Sequence, residues 1–191
     1  MKSIELKELQ NYLPYGLKFI SPDDSGVWEM TEIKLYRLRK KITEIWVGGN
    51  QKGCPYFKNN YIQKIKPIVR PLSDLAENLH DLKLQPMLEL FDICIKNKFN
   101  YTDEVLENIF GSMIEVYNND GFGIVIPDHE GRSHELIYKK TESINEFILN
   151  INDVRFEIDQ TILFEKLLEW HFDVFGWIDK GLAKDLNTLK K

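Results

Sequence analysis

Two cysteines in 191 residues are too few for a disulfide framework. Cys54 and Cys94 lie far apart and belong to no CxxC pair, so the expected compartment is a reducing cytoplasm. No apolar run approaches the roughly 18 residues of a membrane helix, and no membrane partner is expected. The opening MKSIELKELQ has no apolar core of the kind a signal peptide carries. Internal repeats and low-complexity tracts are also missing, which excludes solenoids and sticky tails. Complete catalytic signatures are lacking too: neither cysteine sits in a nucleophile motif, and no carboxylate pair stands out among 30 acidic residues. The expectation is a protein that is not an enzyme and needs no cofactor.

What the chain does have is enough apolar content to fold by itself. At 43% hydrophobic and 29% charged, it has the composition of an ordinary globular domain. A chain of this length buries about 70% of its unfolded surface. One domain over residues 1–191 is expected, with room for an inserted lobe at about 84–160. Charge is uneven: residues 1–70 hold 13 Lys/Arg against 7 Asp/Glu, and the remainder holds 12 against 23. Such asymmetry marks either a face for nucleic acid or an acidic partner, or two solvated surfaces that differ.

Taken in order, residues 3–12 read as a short helix capped by Ser3 and ended before Pro14. Residues 15–20 read as a strand, and SPDDSG (21–26) as a turn. Residues 27–39 and 42–47 alternate as two antiparallel strands rich in β-branched and aromatic residues. GGNQKG (48–53) reads as a loop. Pro55, Pro67 and Pro71 make the next segment extended or edge-like. Helices are expected from Ser73, over 85–97 with Pro86 in the first turn, and over 102–110. The pair Asp120–Gly121 signals a hairpin joining 113–117 to 122–126, with 134–139 as a third strand. Residues 144–151 fit a helix or a short strand, helix being preferred. A last long helix is read from about Asp159 to Lys180. Linkers are expected at 97–101 and 127–133. Strands, helices, a hairpin and helices in that order argue an α+β fold: an antiparallel sheet and hairpins packed against several helices, with a long buried C-terminal helix.

Three clusters invite a chemical reading. In GGNQKG, Gly53 is followed by Cys54 and Pro55, so the lysine and hydroxyl of a phosphate-cradling loop are missing. His129 and His134 are five apart, whereas HExxH zinc chemistry needs four on one helix face. Two imidazoles on a loop can still meet around a metal, or simply be solvated; no metal is expected. His80 ends a short helix, and His171 reads as a hydrogen-bonded core histidine. The basic third is the stronger lead. Arg37, Arg39, Lys40 and Lys41 bunch at a strand end, and Lys52, Lys58, Lys64, Lys66 and Arg70 follow, interleaved with Trp46, Tyr56 and Tyr61. Cations on phosphates beside aromatics that stack on unpaired bases are how single strands are gripped. The alternative places the aromatics inside the sheet, with the lysines solvating its edge.

Towards the end, Leu163, Leu167, Trp170, Val174 and Trp177 mark one apolar stripe, with Phe164, Leu168, His171, Phe175 and Ile178 beside it. Gly181 suits a left-handed cap, with Leu182 folding back. The run LLEWHFDVFGWIDKGLAKDLN (167–187), with LPYGLKF (13–19) and KPIVRPLSDL (66–75), resembles a family of small accessory proteins from phages, prophages and mobile elements of Bacteroidota. The family brings no agreed activity and no catalytic residues to carry over, and residues 84–160 are enlarged relative to its compact members. The resemblance implies a setting: a protein in the host bacterial cytoplasm that binds a host defence nuclease or other host protein, with RNA as a further partner. An anti-CRISPR-type inhibitor is the leading expectation. A general single-stranded nucleic-acid-binding protein is the alternative, and a metal-dependent enzyme built on His129 and His134 the third.

Overall fold

Alternating side chains and turn residues build two sheets from separate stretches of chain. A computed structural model describes residues 4–21, 26–38, 41–50, 58–77, 79, 85–99, 115–119, 121–127, 131–140 and 145–189. Its elements are α1 (Leu6–Gln10), a 3-10 turn (Leu13–Tyr15), β1 (Lys18–Ile20), β2 (Val27–Leu38), β3 (Lys41–Asn50), β4 (Lys58–Tyr61), β5 (Lys66–Val69) and a second 3-10 turn (Leu72–Ala76). They continue as α2 (Pro86–Phe99), β6 (Glu115–Asn119), β7 (Gly121–Pro127), β8 (Ser133–Lys140), β9 (Asn145–Ile151), β10 (Val154–Phe156), α3 (Gln160–Glu169), β11 (Lys184–Asp185) and α4 (Leu186–Leu189). The class is α+β. The chain divides into two compact units: a discontinuous one of Met1–Leu72 with Leu167–Lys191, and an inserted one of Ser73–Lys166.

In the discontinuous unit the strand order is β11-β5-β1-β2-β3-β4. All neighbours are antiparallel except β11, which lies parallel to β5. Gly48, Gly49 and Asn50, read as the start of a glycine loop, lie within β3, and the rest of that stretch is outside the described residues. At Gly49 a Cβ would meet the Glu29 carbonyl oxygen at 2.6 Å and Phe19 Cε1 at 2.8 Å, so only glycine lets the strands and the Phe19 ring close up. Pro67 sits in a strand flanked on both sides rather than at an edge. It faces Phe19 across β1, and β11 reaches only its neighbours Ile68 and Val69, so the missing N–H interrupts no bond with β11.

The C-terminal helix is present but ends at Glu169, well short of Lys180. His171 adopts φ +61. Its N–H donates to Leu168 O at 3.0 Å, and Phe172 N–H donates to Leu167 O at 2.8 Å. That is the paired closure of a Schellman motif, made here with histidine where glycine is usual. Beyond it, Arg70 recruits the chain as a strand partner. Arg70 N–H donates to His171 O and Asp173 N–H donates to Arg70 O, each at 2.8 Å. The Asp173 N–H is thereby taken from Glu169 O, its partner in a continued helix. Gly181 does adopt the left-handed conformation at φ +69, and Leu182 N–H returns to Trp177 O at 2.8 Å, closing a turn.

The inserted unit is an antiparallel meander in the order β10-β9-β8-β7-β6. Of residues 144–151, read preferentially as helix, the described 145–151 form β9 instead. Phe147 and Leu149 are buried on one face, the period of two that a half-buried strand requires. Ile124, Ile126, Leu136 and Tyr138 complete that buried layer, with Met87, Leu90, Phe91, Cys94 and Ile95 buried on α2. Asn152 and Asp153, both at positive φ, form the tight turn between β9 and β10. Opposite Phe147 the strand β10 is too short to pair. The Gln160 side chain takes its place, accepting from Phe147 N–H at 2.8 Å and donating to Phe147 O at 2.7 Å. The helix expected over 102–110 lies outside the described residues.

Candidate interaction face on the basic unit

The division into units coincides with a division of charge. The discontinuous unit carries 17 Lys/Arg against 11 Asp/Glu, and the inserted unit 8 against 19. The basic sequence signal therefore belongs to one folded body.

On its sheet, register aligns Lys34, Trp46 and Tyr61 in one row across β2, β3 and β4. The neighbouring rows hold Glu32, Gly48 and Asn59 on one side, and Tyr36 with Glu44 on the other. Trp46 is half-buried, and its indole N–H donates to Glu44 Oε2 at 3.0 Å. Lys34 Nζ lies 2.6 Å from Glu32 Oε1, a surface pair worth at most about 1 kcal/mol and readily exchanged for another anion. This strip is thus mixed in sign, with an aromatic at its centre. Reasoning from sequence missed Lys34, because only the register of β2 on β3 puts it opposite Trp46.

The remaining candidates are scattered. Arg37 and Lys41 lie at the facing ends of β2 and β3, paired with Ile42 and Leu38. Lys58, opposite Gly49, and Tyr61 occupy the two ends of β4. Lys64 is an exposed turn residue. Arg39, Lys40, Lys52 and Tyr56 lie outside the described residues. Lys66 is committed within the fold, its ammonium donating to Gly181 O. Arg70 requires correction: at 5% exposed it is a core residue, and a guanidinium so buried is closed to an external phosphate. Its role is the backbone bridge to Phe172.

Arg70 belongs to a buried polar knot that joins three distant stretches. His171 Nε2–H donates to Tyr15 O at 2.8 Å, and the Tyr12 hydroxyl donates to Phe172 O. Trp177 Nε1–H donates to Glu8 Oε2 at 2.9 Å. Asp173, 4% exposed, accepts from Trp177 N–H at 2.7 Å and Ile178 N–H at 2.8 Å. Tyr12, Phe175 and Trp177 pack ring on ring, with centroids 5.2 to 5.9 Å apart. Burial, with Lys18 and Arg70 nearby, pulls His171 below the usual imidazole range, so its neutral form donates from Nε2.

The other chemical candidates are spread thinly. His134 is buried on β8, with Nδ1 3.3 Å from Arg132 O, while His129 and His80 lie outside the described residues. Burial pushes the Cys94 thiol up to about 12, so its nucleophilic thiolate is scarce at neutral pH. Among the described residues no group of three or more His, Cys, Asp or Glu is placed to hold a metal. Among them, too, no helix is long and apolar enough to cross a membrane. Fold and face together define an α+β protein with a charge-segregated architecture and an aromatic-centred sheet surface. No family model, curated protein or solved structure matches the chain.

Proposed function

We propose that this is a non-enzymatic accessory protein of phages or mobile elements that acts in the host bacterial cytoplasm by binding. Its target in this reading is an RNA-guided defence nuclease or the guide RNA, which it inhibits in the anti-CRISPR manner. The observation that carries the reading is the concentration of cationic residues in one compact unit, whose sheet bears the Lys34–Trp46–Tyr61 row. A positive body steers towards phosphate-rich ribonucleoprotein, and an aromatic centre provides stacking once contact is made. The resemblance of its three signature segments to mobile-element proteins supplies the setting. The test is affinity capture from a bacterial host, followed by a target-cleavage assay with any nuclease recovered. Capture of the nuclease and loss of cleavage are expected; recovery of neither a defence protein nor RNA would sink the reading.

Direct binding of bare single-stranded nucleic acid is the second reading, favoured by the half-buried Trp46 between two cross-strand neighbours. It requires salt-dependent binding of an unstructured oligonucleotide. Trp46→Ala should weaken that binding about tenfold, the value of one stacked base. An unchanged affinity would leave the phosphate and stacking argument without its centre.

A further inference from the structure

The inserted unit contains a small cleft of about 120 Å³, between the last turns of α2 and the segment that leads into α3. Buried Cys94 and Leu163 line it together with Ile158, while the exposed Glu157 and Asp159 supply two carboxylates. An apolar cavity of about 150 Å³ holds a benzene ring, so this space suits an aliphatic stem of about four or five carbons. The lining holds two carboxylates, Glu157 and Asp159, against one ammonium, Lys98. The C-terminal end of a helix is electronegative, and the cleft lies against the last two turns of α2. The unit as a whole carries 19 acidic against 8 basic residues. Asp159 keeps its place by accepting from Thr161 N–H at 2.9 Å. The chain's own cation at this site, Lys98, sits 5.9 Å from the centroid of the Phe156 ring, which packs edge-on against Phe99. An ammonium is therefore already accommodated beside the cleft.

We propose that this cleft binds a primary alkylammonium group, its carbon stem against Cys94, Ile158 and Leu163 and its charge at Glu157 and Asp159. The chemistry is the same whether the group belongs to a free aliphatic diamine or to a lysine side chain of a partner protein. The site lies in the acidic unit and is independent of the basic sheet face, so substitutions at Trp46 or Lys34 leave it untouched.

The full-length protein, labelled with ¹⁵N, is titrated with 1,5-diaminopentane, with neutral 1-pentanol, and with the peptide Gly-Gly-Lys-Gly-Gly and its Nε-acetylated form. Saturable shifts of the Asn97, Lys98 and Ile158 amides are expected with the diamine. Pentanol should bind about fivefold more weakly, the value of a surface charge pair. The double variant Glu157→Gln/Asp159→Asn, in which asparagine retains the cap on Thr161, should lose the same factor for the diamine. Shifts with the diamine alone assign a free amine. Shifts with the lysine peptide that acetylation abolishes assign a partner's lysine. Either result supports the site. No saturable shift with either cation, or equal affinity for diamine and pentanol on the unmodified protein, overturns it. The pentanol comparison stands even if the double variant does not fold.

Discussion

Replacing Asp173 with alanine should cost the discontinuous unit about 3 kcal/mol. The carboxylate is 4% exposed and accepts two backbone N–H groups, from Trp177 at 2.7 Å and Ile178 at 2.8 Å. Truncation leaves both donors without that acceptor. A buried unsatisfied N–H costs about 1–3 kcal/mol. The Trp177 amide, in a buried bond, falls near the middle of that range, and the half-buried Ile178 amide near its lower end, which gives the total. Loss of an ordinary helix cap, about 1 kcal/mol, would be the smaller effect if only one bond mattered. The assay is urea unfolding followed by tryptophan fluorescence. Trp28, Trp46, Trp170 and Trp177 all belong to the discontinuous unit, so the signal reports that body alone. With a slope of about 2.5 kcal/mol per molar urea, the midpoint should fall by about 1.2 M. Asp179→Ala removes an equal charge from an exposed site in the same segment and should shift stability by less than about 0.5 kcal/mol. A midpoint for Asp173→Ala within 0.2 M of the control would refute the assignment of Asp173 as the acceptor that holds this turn.

Three further outcomes follow from the same geometry. The folded state holds the His171 pKa below its unfolded value, so the unfolded chain binds more protons as pH falls through the mid-6 range. Stability from this residue is therefore complete above the unfolded pKa and is lost on acidification. The urea midpoint should drop more between pH 7 and pH 5 for the parent than for His171→Asn, and parallel pH profiles would remove His171 as the cause. Gly49→Ala should destabilise by about 1–3 kcal/mol, because a backbone oxygen at 2.6 Å cannot step aside. Gly181→Ala, in open space at φ +69, should cost about 1 kcal/mol from backbone strain alone. The reverse order in thermal melts would show that the β2–β3 approach is looser than described. Finally, Cys94, its thiol pushed up to about 12, should resist iodoacetamide at pH 8 in the native protein and react after denaturation. Native labelling at the denatured rate, read by peptide mass spectrometry, would contradict its burial.

Local signals carried the α+β class, the β2–β3 pair, the β6–β7 hairpin and Pro86 at the head of α2. In each case a period, a turn dipeptide or a fixed proline dihedral acts over a few residues, so no distant partner is needed. Where competition with a remote segment decides, periodicity misleads. Leu163, Leu167, Trp170, Val174 and Trp177 keep helical spacing through a stretch whose helix ends at Glu169. Spacing records which side chains are apolar, and a turn packed into a core buries them as well as a helix does. Residues 144–151 erred the other way: eight residues are short enough for either period, and pairing of 145–151 with β8 chose the strand.

The candidate face was legible as a composition and illegible as a surface. Lysines, arginines and aromatics could be counted, but Arg70 turns inward to serve the fold, the exposed Lys66 donates to Gly181 O, and Lys34 joins Trp46 only through register. From the sequence alone came the charge imbalance, the apolar content, the turn chemistry and three conspicuous segments at 13–19, 66–75 and 167–187. Tertiary structure alone decided that those segments meet. Phe19 faces Pro67, Arg70 bridges Phe172, Tyr15 receives His171, and Lys184 lies beside Ile68. The physical reason is that backbone groups freed where α3 ends must find partners, and His171 and Asp173 find them on Arg70, about a hundred positions earlier.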